Sequence, residues 1–273
     1  MKLSRRTFLR LLGLASLGGI IGGGTGVAQI YRFAVNHHTR TLPKLKKPLR
    51  LAHLSDLHFG LFLGKQMVRQ WVDATLQENP DLILITGDFI DSTTGNFQPL
   101  IQELSRLKAP LGVWGVWGNH DYDHGLAYRD KFATALASID ISILVNQGLS
   151  LREDLFLNGC DDLWKGQHDL YKSFKDRPEH QACIFMCHIP DILPGLAYYN
   201  YPADLTLGGH YHGGQVKLPF IGAPFVPSKY GQQFLEGWFE TPMPAFVSRG
   251  LGVSSLPIRW ASQPEVVIID LVG

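Results

Sequence analysis

Five short polar segments, each placed directly after an apolar run, constrain the fold of this chain more than any other feature. Because buried polar groups need partners, an apolar run ending in Asp, Asn or His is typical of a strand whose carboxyl end faces a ligand. The repetition predicts several strands that deliver their ends to one shared site. In chain order the segments are Asp56-Leu57-His58, Gly87-Asp88-Phe89-Ile90-Asp91, Gly118-Asn119-His120-Asp121, Cys187-His188 and Gly209-His210-Tyr211-His212.

Between these segments the chain alternates strand and helix patterns. Apolar residues at helical spacing predict helices over residues 65–77, 97–107 and 127–139. This alternation predicts an α/β layered domain, and the Gly- and Pro-rich second half predicts a partly antiparallel sheet there. Short apolar runs predict strands over residues 50–55, 81–86, 111–117, 141–145, 155–159, 182–187, 203–207, 245–248 and 266–271.

The charge of the chain is divided unevenly along its length. Ten basic residues precede Asp56, which is the first acidic residue, so residues 1–55 carry +10. The remainder holds 15 basic and 24 acidic residues and carries −9. Because nonspecific nucleic-acid binding needs basic surface, the acidic body predicts no nucleic-acid partner.

The N-terminal segment has the pattern of an export signal. Arg5 and Arg6 precede Thr7-Phe8-Leu9, and the following residues 11–31 contain seven glycines and no charge. The paired arginines resemble a twin-arginine signal. We therefore expect residues 1–28 to be a twin-arginine export signal or an uncleaved anchor, handled by the matching export machinery. The protein would then be exported across the bacterial cytoplasmic membrane, either periplasmic or anchored facing outward.

The next segment, residues 29–47, is predicted to be a basic linker, and residues 48–273 are predicted to form one catalytic domain. Two roles are open for Lys44, Lys46 and Lys47. They could contact the anionic surface of a membrane, or they could belong to a solvated tether.

The five polar segments combine carboxylate, carboxamide and imidazole groups. This donor set suits Mn, Zn or Fe, whereas Ca and Mg prefer oxygen ligands alone. The groups are too numerous for a single tetrahedral ion. We therefore expect two divalent metal ions that share a carboxylate.

The order DxH, GDxxD, GNHD, H, GHxH is similar to that of the calcineurin-like metallophosphoesterase family. The resemblance implies an α/β fold, a four-layer α/β/β/α sandwich with mixed sheets, and a dinuclear metal centre. It also implies two sets of metal ligands that share Asp88: Asp56, His58, Asp88 and His212 in one set, and Asp88, Asn119, His188 and His210 in the other.

Two longer segments narrow the resemblance to one branch of the family. Gly209 to Gln215 and Ser248-Arg249-Gly250-Leu251-Gly252 resemble the bacterial exported phosphohydrolases of this family, described as phosphodiesterases of uncertain substrate. The resemblance implies a dimetal-dependent phosphoester hydrolase, in the first instance a phosphodiesterase acting on a small phosphoester. One alternative is a hydrolase of a lipid-linked pyrophosphate, like the UDP-diacylglucosamine pyrophosphatases. Another is a non-catalytic metal-binding scaffold.

The resemblance also implies catalytic roles for two residues. His120 would be the general acid, acting opposite a metal-bridging hydroxide, and Asp91 would orient it. Asp121 is expected to support the site without binding metal, and His53 is expected to be a core residue. The apolar residues 218–226 could line a substrate groove or belong to the core. A substrate contact and a structural role are both open for His124, Asp161, Asp162, Trp164 and Arg249.

Overall fold

The computed structural model describes residues 26–273, so the predicted signal or anchor over residues 1–28 lies almost wholly outside the described residues. The strands are β1 (Ala34–Thr41), β2 (Leu49–Leu54), β3 (Leu82–Thr86), β4 (Val113–Val116), β5 (Ile141–Ile143), β6 (Gln147–Arg152), β7 (Leu155–Gly159), β8 (Ala182–Met186), β9 (Leu205–Gly208), β10 (Gly237–Phe239), β11 (Ala245–Val247) and β12 (Glu265–Val272). The helices are α1 (Lys65–Gln77), α2 (Gln98–Leu104), α3 (Leu126–Ala137), α4 (Leu170–Phe174) and α5 (Leu193–Tyr198). Short 3-10 turns lie at Asn119–Tyr122, Pro190–Ile192 and His212–Gly214.

The strands form two six-stranded sheets. The first sheet has the order β1-β12-β2-β3-β4-β5, and the second has the order β10-β11-β9-β8-β7-β6. In the first sheet β2 to β5 are parallel, and β12 runs antiparallel to β2. In the second sheet β7, β8, β9 and β11 are parallel, and the edge strands β6 and β10 are antiparallel to their neighbours. Both sheets are therefore mixed, and the antiparallel pairing predicted for the second half is confirmed.

Side chains that alternate along the strands divide the interior into layers. In β3, Leu82 and Leu84 pack against the second sheet, whereas Ile83 and Ile85 pack against α1, α2 and α3. On the outer face of the second sheet, Phe185 packs with residues of α4 and α5. All of these strand residues are fully buried because each sheet is covered on both faces. The layer order is therefore α/β/β/α, which confirms the predicted fold class.

The first strand corrects the predicted linker. Residues 34–41 pair in parallel with β12 over eight residues, so the linker prediction is wrong for this part of residues 29–47. Arg40 forms two hydrogen bonds to Glu240, at 2.5 and 2.7 Å, and Asn36 donates to Glu265 at 2.6 Å. Polar and charged residues are usual on edge strands, where they prevent pairing with other chains. The linker prediction failed because such a polar edge strand has the same composition as a linker. The folded domain therefore begins before residue 48.

The helices of residues 26–273 include none that combines the length and apolar content needed to cross a bilayer.

Candidate metal centre

The carboxyl ends of strands from both sheets meet at one site. Asp56 and His58 follow β2, Asp88 follows β3, and Asn119 follows β4, all in the parallel part of the first sheet. From the second sheet, the loop after β8 supplies His188, and the loop after β9 supplies His210 and His212. All seven predicted ligands are buried. The structure thus brings the seven predicted ligands to the edge where the two sheets meet.

The first predicted ligand set forms one half of the cluster. The Nε2 atom of His58 lies 3.1 Å from Nε2 of His212 and 3.4 Å from Oδ2 of Asp88. Nε2 of His212 lies 3.5 Å from Oδ1 of Asp56. Ligand atoms of Asp56, His58 and His212 are all close enough to one another to hold one cation.

The second set shares Asp88 with the first. Nε2 of His188 lies 3.1 Å from Oδ2 of Asp88 and 3.1 Å from Nδ1 of His210. Asp88, His188 and His210 form a second group able to hold a cation. The Oδ1 atom of Asn119 is buried and has no hydrogen-bond partner among the described residues.

These observations fit a pair of metal ions. A buried carboxamide oxygen without a partner is costly unless a cation completes its environment. Two buried carboxylates also face the same space as four imidazole rings. This mixture of oxygen and nitrogen donors matches Mn, Zn or Fe.

Strained backbone holds the ligands in place. Five of the seven have positive φ, in the left-handed region that residues other than glycine rarely adopt: Asp56 (53°), His58 (42°), Asp88 (50°), His210 (74°) and His212 (52°). Such strain gathers at functional sites, where the surrounding structure maintains it. At Gly118 a Cβ atom would overlap the Asp88 carboxylate, so this close approach requires glycine.

The charges of the cluster depend on its burial. Burial lowers the pKa of His58 to about 3, and it also holds the pKa values of His210 and His212 well below their ordinary value. These rings are neutral at pH 7, and metal binding requires neutral rings. Burial opposes charge on Asp88 too, but neighbouring His188 holds the pKa of that carboxyl well below its ordinary range.

His188 differs from the other three ligand histidines, because its pKa is raised rather than lowered. Burial disfavours its protonated form, but the carboxylates of Asp88 and Asp56 raise its pKa to about 10. Its Nδ1 donates to the Thr86 carbonyl at 2.8 Å, which turns Nε2 toward Asp88. A positive charge on His188 therefore lies 3.1 Å from the Asp88 carboxylate.

Asp121 ties two of the ligand loops together. Its Oδ2 accepts from the backbone N–H groups of Asp88 at 3.0 Å and Gly118 at 2.8 Å, and its Oδ1 accepts from Ile90 at 3.2 Å. These bonds fix the loops after β3 and β4. Asp121 thus supports the site without being a ligand, as predicted.

His120 lies at the partly exposed edge of the cluster, but its partner differs from the one predicted. Its Nδ1 lies 2.7 Å from Oδ2 of Asp123, whereas the Asp91 carboxylate accepts from Thr93 N at 2.7 Å and Thr93 Oγ1 at 2.6 Å. The prediction that Asp91 orients His120 is therefore wrong, because Asp91 closes its own turn. The sequence spacing between His120 and Asp123 could have revealed this contact, since residues three apart in a helical turn face each other.

Arg259 is a second residue that the motifs did not identify. It is fully buried, and its Nη2 lies 3.0 Å from Nδ1 of His212. Its other contacts are mainly backbone carbonyls, including those of Arg249 at 2.7 Å and Gly252 at 3.0 Å. The guanidinium thus fixes the loops around one ligand, and no local pattern in the sequence indicates this.

The residues with open roles divide into structural and site-facing groups. His124 Nε2 donates to the Asp91 carbonyl at 2.9 Å, and Arg249 forms an ion pair with Glu265, so both have structural partners. Asp161 bonds Tyr122. In contrast, the half-exposed Trp164 ring stands edge-on to the His210 ring, with the centroids 4.4 Å apart. Trp164 therefore forms a wall of the site.

His53 and the cysteines belong to the core. His53 is fully buried, and its Nε2 lies 2.8 Å from Oγ1 of Thr86, so the expected core role is confirmed. Cys160, Cys183 and Cys187 are buried and free. None of the four belongs to the groups able to hold a cation within the described part of the chain.

Comparison with known proteins agrees with this geometry. The family profile described as calcineurin-like phosphoesterase matches residues 49–214. The uncharacterized metallophosphoesterase YkuE of Bacillus subtilis is 31% identical over 284 residues, covering 99% of this chain and 98% of that protein. The phosphodiesterase YaeI of Escherichia coli is 30% identical over 234 residues, covering 82% and 83%. An uncharacterized metallophosphoesterase of Helicobacter pylori is 30% identical over 238 residues, which span 62% of its length.

The matched residues contain the whole ligand cluster, from Asp56 to His212. More than half of the chain is covered, and its ligands follow the order on which the resemblance was based. The chain belongs to the calcineurin-like phosphoesterase family.

Proposed function

We propose that this protein is a phosphodiesterase that hydrolyses its substrate at a dinuclear metal centre, with His120 as the general acid. Membership of the family implies metal-dependent hydrolysis of phosphoesters. The observation that carries the proposal is the cluster of ligand groups around Asp88: this carboxylate belongs to one group with His188 and His210 and to another with His58 and His120. The similarity to a protein named as a phosphodiesterase supports the choice of a diester.

Divalent ions bound by these residues would supply positive charge to the phosphoryl oxygens and lower the pKa of a bound water. The residues of the chain supply the remaining functions. Asp88 and Asp56 provide the negative charge that retains the cations. Trp164 forms one wall beside His210, and a substrate group would pack against it.

His120 is placed to transfer a proton to the leaving group. Its ring stands edge-on to that of His58, with the centroids 4.9 Å apart, and its side chain is partly exposed. Because Nδ1 faces Asp123, Nε2 is left to face a substrate. Asp123 would hold the ring in this orientation, and a positioned proton donor is typically worth about 10²–10⁴ in rate.

The substrate could instead be a lipid-linked pyrophosphate. One observation favours this second candidate, because residues 218–225 expose apolar side chains in the chain segment that follows the ligand His212. Export by the twin-arginine machinery, with a periplasmic or outward-facing location, stays a prediction from residues that the structure does not describe.

The test uses the full chain loaded with Mn or Zn, with metal analysis and hydrolysis of bis-p-nitrophenyl phosphate as readouts. We expect turnover that depends on metal. Asp88→Ala should lose metal and activity together, whereas His120→Ala should keep both metals and lose turnover. A metal-loaded protein that hydrolyses no diester would favour the scaffold alternative. Two-metal occupancy in Asp88→Ala would contradict the bridging role, and hydrolysis of UDP-diacylglucosamine alone would favour the lipid substrate.

A further inference from the structure

We propose that residues 218–225, here called the apolar loop, insert into the interface of a lipid bilayer beside the metal centre. Phe220 is fully exposed, Ile221 and Phe225 are 64% and 60% exposed, and Leu218 is 40% exposed. Single exposed apolar residues are common on protein surfaces, but four within eight residues form a cluster that needs a partner. This inference does not depend on the proposed reaction.

Hydrogen bonds hold the apolar loop in its protruding shape. The backbone N–H groups of Leu218 and Gly222 each donate to the carbonyl of the other, at 2.8 and 3.0 Å. The Gln232 side chain accepts from Ala223 N at 3.0 Å and donates to the Ile221 carbonyl at 3.3 Å. The tip is thus a fixed turn that presents Phe220 and Ile221 outward.

The far end of the loop is also fastened to the body. Asp191 accepts from Ser228 Oγ at 2.6 Å and from the backbone N–H of Lys229 at 3.1 Å. Both ends of the protruding segment are therefore bound to the folded domain. An insertion of the tip would bring the domain itself close to the membrane.

The N-terminal apolar run joins the domain at the base of this loop. The Gly26 carbonyl accepts from Arg259 N at 3.1 Å, next to Trp260. Trp260 in turn pairs with the stem of the loop, since its N–H donates to Gln215 at 2.8 Å and its carbonyl accepts from Lys217 at 2.9 Å. Gly26, which follows the uncharged residues 11–25 in sequence, therefore packs on the same side of the domain as the apolar loop.

Charge also favours lipid over a protein partner. The sequence has no acidic residue between Asp204 and Glu236, and Lys217 and Lys229 lie on either side of the loop. Lys217 pairs with Glu236 at 2.5 Å, whereas Lys229 is exposed and has no carboxylate partner among the described ion pairs. Such a segment is not repelled by anionic lipid, and lysines near the surface are attracted to it. Aromatic and aliphatic side chains together, with basic residues beside them, are typical of segments that lie in the membrane interface.

The loop lies close to the catalytic cluster along the chain and in space. Gln215 begins its stem three residues after the ligand His212, and Arg259 contacts both His212 and Gly26. A bilayer bound to the apolar loop would therefore lie next to the chain segment that follows the ligand His212.

A fluorescent probe placed on the loop tests the proposal. The three native cysteines are buried, so Ile221→Cys in the full chain provides one exposed thiol for an environment-sensitive label. We expect blue-shifted emission that rises severalfold when vesicles of phosphatidylethanolamine and phosphatidylglycerol are added, and quenching by spin labels on the acyl chains. Ser138→Cys is the matched control, because this exposed residue precedes β5 at the opposite end of the sheet from the site.

A further variant separates insertion from nearby attachment. Phe220→Asp in the Ile221→Cys protein should return the emission toward that of water, while metal content stays unchanged. A probe at position 221 that stays in a water-like environment on vesicles with bound protein would overturn the proposal, as would absence of vesicle binding. A shift that needs no lipid but grows with protein concentration would identify a second copy of the chain, which also overturns it.

Discussion

Asp88 is the residue on which both halves of the metal cluster depend. Its Oδ2 lies between His58 and His188, its Oδ1 accepts from the backbone N–H of His120 at 2.8 Å, and its own N–H donates to Asp121. Both carboxylate oxygens of Asp88 and its backbone N–H therefore have a contact within the cluster. Replacing Asp88 with an uncharged residue would leave buried partners unpaired, which costs more than the lost contacts alone.

The contact between His120 and Asp123 gives a prediction for catalysis. Asp123→Asn should lower turnover by about 10–100-fold, which is part of the roughly 10²–10⁴ that a positioned proton donor is worth, because the His120 ring loses the carboxylate that orients it. The loss should be greater for an alkyl diester than for a p-nitrophenyl diester, since the poorer leaving group depends more on proton donation. Steady-state kinetics with both substrates measures this difference.

Asp91→Asn is the matched control, because that carboxylate bonds Thr93 rather than His120. Its dependence on the leaving group should equal that of the unmodified protein, with the same metal content. If Asp91→Asn shows the stronger dependence and Asp123→Asn shows none, the assignment of the two aspartates is reversed.

At the scale of elements, a single carboxylate fastens the connection between β1 and β2. Oδ2 of Asp154 accepts from the backbone N–H groups of Lys46 at 2.7 Å and Lys47 at 3.2 Å, and Oδ1 accepts from Arg152 at 2.8 Å. Leu42 and Leu45 of the same connection are buried between the sheets. The segment is thus part of the packed domain.

Asp154→Asn should lower the free energy of unfolding by about 1–3 kcal/mol at pH 7, as expected for hydrogen bonds to a charged group. Burial opposes charge on Asp154, but the Lys46 N–H and Arg152 hold its pKa below the ordinary value. A carboxyl whose pKa falls on folding stabilises the protein above its unfolded pKa of about 4, and this contribution is lost as the pH falls through the folded value.

Urea unfolding at pH 7 and at successively lower pH measures this effect. The difference between the two proteins should shrink as the pH falls. Asp140→Asn provides a control, because Asp140 is an exposed residue paired only with Lys108 among the described ion pairs. A difference that is independent of pH would show that the Asp154 charge is not involved.

The sequence predicts long, strongly patterned elements better than short or polar ones. The bounds of α1 agree with the prediction because its buried face repeats at helical spacing through Met67, Val68, Trp71 and Val72. The edge strand β1 was missed because none of its residues is fully buried, so it lacks the apolar pattern of a core strand. The short β10 and α5 were missed because tertiary packing decides elements of a few residues.

The same distinction applies to the site. The seven candidate ligands follow apolar strands in sequence, so the motif order together with the family resemblance was sufficient to predict that they meet in one cluster. Asp123 lies only three residues from His120, so its role could have been found from local spacing, whereas the role of Arg259 depends on how loops distant in the chain are arranged. Arg259 contacts His212 across 47 positions, and nothing local to either residue indicates that contact.

At the scale of the whole molecule, the metal centre joins the two sheets. Asp56, His58, Asp88 and Asn119 extend from the first sheet, whereas His188, His210 and His212 extend from the second. Removing the metal should therefore destabilise the domain as a unit. At a metal concentration of 100–1,000 times Kd, ligand linkage predicts a loss of about 3–4 kcal/mol.

Thermal unfolding with and without a chelator measures this loss, which should appear as a lower Tm for one cooperative transition. Asp88→Ala is the control, since a protein without the bridging carboxylate should unfold at the same temperature in both conditions. A chelator that lowers the Tm of both proteins equally would mean that it acts elsewhere.

The division of ligands between the two sheets has a consequence for biosynthesis. While the ribosome has delivered only the chain up to β5, the four first-sheet ligands are present but the three histidines of the second sheet are not. A dinuclear centre can assemble only after the later strands dock on the earlier ones. Metal binding would thus require that both halves of the chain have folded. A chain misfolded in either half would fail to retain metal.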